Sequence, residues 1–284
     1  MECLEGHSIT PACARSELDL KVIIMSRNKA KTKKTKVIEN LYLYEFIDED
    51  AILPDTITVM VQGSRALLID TAYPEYAEHV KKDLEEQGIS VEIIILSHYH
   101  SDHVSGCAVF TPCEIYAGEH FEHSYNNCRI WEPGYTYVKP QHLIKDGDSL
   151  SFGDFELEFL YAPGHSPCGV ITKITERIVH IGDLIMMSKN NRAVLPFIAD
   201  GGNFAGHIQS LELLKKIEPE IVVVPHGGRI ENKENIEKEI EDRIYYLEQT
   251  SSAMGTLPLP ACLKENISAY DHLEFHDTNL TRLF

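Results

Sequence analysis

The stretch Ile93-Ile94-Ile95-Leu96-Ser97-His98-Tyr99-His100-Ser101-Asp102-His103 decides how the rest of the chain is read. Its first four residues are wholly apolar, as expected of a short strand covered on both faces. Three imidazoles and one carboxylate then follow within six residues at the strand's exit. Nitrogen and oxygen donors in that mixture are what borderline divalent metals select. Strand-like alternation turns Tyr99 away from its two histidine neighbours. The stretch predicts a metal site at the mouth of a sheet.

Three further islands place a candidate ligand where a strand ends. Ala162-Pro-Gly-His165-Ser-Pro167 follows Leu157–Tyr161, His180-Ile-Gly-Asp183 follows Arg177–Val179, and Val224-Pro-His226-Gly-Gly228 closes an apolar run. Each strand supplies a rigid platform, and Gly or Pro shapes the turn that aims the side chain. A lone histidine beside Gly or Pro is more often a turn residue than a ligand. Four islands, all at strand ends, make coincidence a poor explanation.

The intervening segments alternate strands with helices without a regular βαβ rhythm. Thr56–Val61 and Ala66–Asp70 read as a hairpin turning at Gln62–Arg65. Tyr76–Gln87 reads as an amphipathic helix stopped by Gly88. Hairpins are expected over Ser149–Leu160 and Val170–Ile181, helices over His207–Ile217 and Glu231–Gln249, and a buried strand at Ile221–Val224. That order favours an α/β (α+β) fold, with two mixed β-sheets packed face to face and helices outside, over a Rossmann fold or TIM barrel. Residues 1–36 read as a flexible leader in which Val22–Met25 alone suggests a strand. The folded domain is expected over 37–250. Residues 251–284 form a tail packed on that domain or on a neighbouring subunit, which leaves a homodimer open.

The chain has 284 residues, 44 acidic and 26 basic, for a net charge of −18. So acidic a surface repels phosphate backbones, and no nucleic-acid partner is expected. No apolar run reaches the roughly 20 residues that cross a bilayer. The start has no basic segment leading into an apolar one, so the expected location is the cytoplasm, with no membrane partner. The seven cysteines form no CxxC pair and fit free thiols in a reducing compartment. Lys21 to Lys36 carries seven basic residues and no acid, as a solvated leader would.

Taken together, HxHxDH, Pro-Gly-His, Gly-Asp and a strand-end His resemble the metallo-β-lactamase fold superfamily, which includes glyoxalase II and lactonases. The likeness runs from about Val37 to Arg229 and is specific for fold and metal site rather than for substrate. It implies an αββα sandwich with two divalent metal ions at one edge, zinc being expected, with iron or manganese as alternatives. By the family pattern His98, His100 and His165 hold one metal, Asp102, His103 and His226 hold the other, and Asp183 bridges them. Asp70 matches a strand-end aspartate that supports the cluster, although Ala72 stands where the family commonly has Gly. The resemblance further implies hydrolysis of a small ester, thioester or lactone by a metal-bound hydroxide, with Asp102 orienting it or taking part in proton transfer.

Loops near Trp131–Tyr137 and Met186–Phe204 are expected to bind the small-molecule substrate. The transition Gly201–His207 offers His207, Asn203 and Phe204 as candidate contacts. The acidic C-terminal region counts against a glyoxalase II. Alternatives within the fold are a mononuclear-iron persulfide dioxygenase and an RNA-processing nuclease. A non-catalytic metal-binding or sensing module is the alternative outside enzymes.

Overall fold

The computed structural model describes Arg27 and residues 29–283. The strand read at 22–25 lies outside the described residues. The first sheet opens with an antiparallel ladder of β1 (Lys31–Ile38), β2 (Leu41–Ile47), β3 (Asp55–Gln62) and β4 (Arg65–Ile69). Helix α1 (Pro74–Glu86) then carries the chain to β5 (Ser90–Leu96), which lies parallel to β4. Two single-turn helices, α2 (Ser101–Val104) and α3 (Cys107–Phe110), precede β6 (Glu114–Gly118). After α4 (Phe121–Trp131), β7 (His142–Ile144) completes a seven-stranded sheet in the order of the sequence.

The second sheet takes all its strands from the chain beyond β7. It contains β8 (Ser149–Phe152), β9 (Phe155–Tyr161), β10 (Val170–Lys173) and β11 (Ile178–His180). A two-residue strand β12 (Ala193–Val194) and helix α5 (Phe204–Ile217) intervene before β13 (Ile221–Val224) and β14 (Gly228–Glu231). The sheet's order is β14-β13-β11-β10-β9-β8, with β11 and β13 parallel. Helix α6 (Lys233–Ser252) leads into the tail, where β15 (Tyr270–Asp271) pairs with β12 and α7 (Phe275–Leu280) is the last element.

Period-2 alternation sorts the apolar side chains into three layers. In β4, Ala66 and Leu68 face the core shared with α1, whereas Leu67 and Ile69 face the second sheet. In β13, Val223 meets the first sheet while Val222 and Val224 join the core under α5 and α6. The result is the helix–sheet–sheet–helix sandwich expected from the sequence.

One expectation needs adjustment. Strand β1 starts at Lys31, inside the segment assigned to the leader. Its lysines do not float free: Lys31 pairs with Glu49 at 2.9 Å, Lys33 with Glu45 at 2.9 Å and Lys34 with Asp83 at 2.7 Å. A strand at a sheet edge needs no apolar face, and its lysines discourage further pairing, so composition hid it. The tail packs on its own chain. Cys262, Leu263 and Tyr270 are buried in the core beneath α5 and α6.

Candidate metal centre

Parallel pairing of β4 with β5 puts the ends of both strands side by side, and the site begins there. Asp70 follows β4 in a left-handed conformation (φ 60°) and is buried. Its Oδ1 accepts from the Ser97 amide at 2.8 Å, and its Oδ2 accepts from the Ser97 hydroxyl at 2.7 Å. Oδ2 also accepts from His103 Nδ1 at 2.9 Å. The Ser97 oxygen, its proton spent on Asp70, lies 3.1 Å from His98 Nδ1 and accepts from it. One carboxylate thereby turns the Nε2 atoms of His98 and His103 toward the same space. Ala72, where Gly was the family pattern, takes a left-handed φ of 49° while buried beside α1.

The second sheet supplies further candidate ligands, and hydrogen bonds orient its histidines by the same device. His165, in the turn after β9, donates through Nδ1 to the Phe197 carbonyl at 2.7 Å. His226, just past β13, donates through Nδ1 to the Pro54 carbonyl at 2.8 Å. Asp183 sits in a one-turn 3₁₀ helix (Gly182–Leu184) after β11. Its Oδ2 lies 3.8 Å from His98 Nε2, 3.5 Å from His165 Nε2, and 3.4 Å from the Nε2 of both His103 and His226. His98 Nε2 and His165 Nε2 are 2.9 and 3.0 Å from His100 Nδ1. Asp102 reaches His103 Nε2 at 3.7 Å and His226 Nε2 at 3.4 Å.

These atoms form three overlapping groups: His98, His100 and His165; His98, His103 and Asp183; and Asp102, His103 and His226. Two observations show that a cation suits them. Three imidazole nitrogens meet at hydrogen-bonding distance, although His98 and His165 have already committed their other nitrogens as donors. His103 Nε2 and Asp183 Oδ1 are buried without a hydrogen-bond partner, which a native core rarely tolerates. The donor set is imidazole and carboxylate, as borderline divalent metals prefer.

Charge at the site divides by neighbourhood. Burial holds His98 and His100 below the usual histidine range and His165 down at about 4. For His103 and His226 burial also opposes charge, but the nearby Asp183 and Asp102 outweigh it and raise both well above that range. Against burial, His103 and His226 hold Asp102 and Asp183 below the usual carboxylate range. A metal that binds His103 and His226 competes with a proton for their nitrogens.

A cleft of about 610 Å³ opens over these atoms, with His100, Asp102, His165, Asp183 and His226 at its floor. The expected loops contribute Glu132 from one side, and Met186, Phe197, Ala199 and Asp200 from the other. His207, Asn203 and Phe204 do not line it, so their assignment as substrate contacts is corrected. His207 is wholly buried, with Nε2 donating to the Leu184 carbonyl at 3.0 Å. Asn203 caps α5 by accepting from the Gly206 amide, and Phe204 packs in the core. Their polar, glycine-rich segment reads like a binding loop but is a helix start.

Several lining residues went unrecognised: Arg27, the turn from Asp48 to Leu53, Asp55, Tyr73 and Phe275. The Asp48–Leu53 turn joins β2 to β3 at the edge that holds the candidate ligands, a signal available from strand order. Phe275 had no such signal. Asp55 is buried 3.8 Å from His226 Nδ1, and burial pushes its carboxyl up to about 7. His180 is fully buried with Nε2 3.9 Å from Asp70 Oδ2. Tyr99 does turn away, donating from its hydroxyl to the Val138 carbonyl at 2.6 Å. Cys168 lies behind the site, its sulfur accepting from the Tyr99 amide at 3.3 Å.

Comparison with known proteins agrees with this geometry. A beta-lactamase-like protein 2 homolog from Drosophila melanogaster is 25% identical over 182 residues, covering 60% of this chain and 57% of that protein. A hydroxyacylglutathione hydrolase from Acaryochloris marina is 34% identical over 36% of this chain and 35% of its own length. One from Vibrio vulnificus is 23% identical over 76% and 80%. The matches to the first two thus span little more than half of those relatives or less. Among solved structures, a metallo-beta-lactamase from Pontibacter korlensis superposes with a TM-score of 0.62 at 14% identity, covering 74% of this chain and 98% of that one. The family model of the metallo-beta-lactamase superfamily matches residues 52–226, and the chain belongs to that superfamily.

Proposed function

We propose that this chain is a metal-dependent hydrolase of a small ester, thioester or lactone, built around two divalent ions, with zinc the expected metal. One observation carries the reading: seven side chains from both sheets converge, with Asp183 Oδ2 within 3.4 to 3.8 Å of four imidazoles. His98, His100 and His165 would hold one ion, Asp102, His103 and His226 the other, with Asp183 between them. Bound metal of this kind lowers the pKa of water from about 15.7 to about 7 and polarises a carbonyl oxygen. The hydrolases among the relatives support the reading.

The chain's own residues do the rest. Asp70 and the Phe197 and Pro54 carbonyls fix which nitrogen each histidine presents. Asp102 is partly exposed at the cleft floor, so its carboxylate can both hold the centre and take a proton from the attacking water. Phe197, Met186 and Phe275 give the substrate an apolar seat beside the metals. The ligand is then a small molecule rather than nucleic acid, consistent with a net charge of −18. Among the described residues no helix is long and apolar enough to cross a membrane. The free thiols Cys107, Cys113, Cys128, Cys168 and Cys262 suit the cytoplasm.

The test is metal analysis of protein purified without added metal, joined to a hydrolysis screen over lactones, thioesters, aryl esters, phosphodiesters and β-lactams. About two metal ions per chain and turnover of a lactone, thioester or ester are expected. One tightly held iron with oxygen consumption, or turnover of phosphodiesters alone, would overturn the proposal.

A further inference from the structure

The tail beyond residue 250 lies outside the segment matched by the family, yet it reaches the metal centre. The loop 196–200 embraces His165 twice. Phe197 accepts from the imidazole Nδ1 at 2.7 Å, and the Ala199 amide donates to the His165 carbonyl at 3.0 Å. That loop is in turn gripped by one side chain of α7. Asn279 Oδ1 accepts from the Ile198 amide at 2.8 Å, and Asn279 Nδ2 donates to the Pro196 carbonyl at 2.7 Å. These two bonds flank Phe197, whose carbonyl sets the His165 tautomer.

Asn279 is itself held. It is fully buried, and its Nδ2 also donates to the Tyr246 hydroxyl of α6 at 2.9 Å. Tyr246 and His276 Nδ1 meet at 3.0 Å. Phe275 packs on the Phe197 ring with centroids 4.9 Å apart, and Arg282 pairs with Asp200 at 3.0 Å. An amide is the group for this place, because the loop presents one donor and one acceptor on either side of Phe197. No aliphatic residue satisfies both.

We propose that Asn279 is a positioning residue for the metal ligand His165, acting through the Phe197 carbonyl, and that α7 is thereby a working part of the metal centre. The inference rests on the two-metal reading for the role of His165. Loss of Asn279 frees the loop to shift, and His165 then loses the partner that aims its Nε2. Partners of this kind are worth about 10- to 100-fold in metal affinity.

The experiment titrates the metal-free full chain with zinc against a chromophoric chelator and records melting temperatures alongside. Asn279→Ala should weaken one zinc equivalent by about 10- to 100-fold. Leu263→Ala removes a buried residue of the same tail. It should lower the melting temperature while leaving both zinc affinities at the wild-type value. Should Asn279→Ala not fold, Asn279→Asp carries the test. It keeps the acceptor for Ile198 but loses the donor to Pro196, and should weaken the same zinc by about tenfold. Wild-type zinc binding in the Asn279 variants, or equal weakening in Leu263→Ala, would overturn the proposal. Because the readout is zinc, a chain that hydrolyses none of the screened esters but shows this pattern refutes the proposed function alone.

Discussion

Asp70 shows how much a single side chain can settle at this centre. It touches no candidate metal, yet the presented nitrogens of His98 and His103 both depend on it. Asp70→Asn cannot accept from the Ser97 amide and from His103 together, so zinc affinity should drop by about 10- to 100-fold, measured by chelator competition. Asp102→Asn should leave the fold intact and reduce kcat by about 10²- to 10⁴-fold, as loss of a proton-transfer group does. A kcat within tenfold of wild type would exclude that role. The buried histidines outside the ligand set predict a pH response. Burial pushes His180 and His207 down from 6.5 to about 4. Between those values the unfolded chain binds more protons than the folded one, so stability is present above pH 6.5 and lost as pH falls toward 4. The melting temperature of the metal-free chain should therefore fall across that window, and a flat profile would count against it.

At the scale of elements, turns aim the ligands, and the turn before His165 is the tightest. Gly164 has φ +132°, and a Cβ there would lie 2.1 Å from the backbone nitrogen of His207 at the start of α5. Gly164→Ala must push α5 away from the His165 turn. It should cost more than about 2 kcal/mol in chemical denaturation, as strained backbone substitutions do. The same scale explains what the sequence revealed. The seven candidate ligands that the fold brings together were legible because each follows an apolar run and sits beside Gly or Pro, or in the HxHxDH cluster. His207 was misread because a helix start rich in Gly and Asn looks like a binding loop until its burial is known. Strand β1 was hidden because its first six residues are all Lys or Thr and carry no apolar period. Asn279 was invisible for a different reason: the loop groups it grips are backbone atoms 81 and 83 residues away.

At the scale of the molecule, the chain that forms the cleft carries a net charge of −18. Long-range repulsion should slow the approach of anionic substrates and speed that of cationic ones, and salt should reduce both effects. For matched esters, kcat/KM should rise with ionic strength for the anion and fall for the cation. Salt dependence of the same sign for both would show that the field plays no part in capture.

The two sheets use separate stretches of chain. The first ends with β7 at Ile144, and the second begins with β8 at Ser149. His98, His100, Asp102 and His103 belong to one stretch, and His165, Asp183 and His226 to the other. A cut at Gly147, in the exposed turn between the sheets, would yield two fragments that each carry an incomplete ligand set. Such fragments are natural candidates for complementation: zinc added to the mixture should drive their association, and a chelator should reverse it. In that form the molecule becomes a reporter of metal, with reassembly itself as the signal.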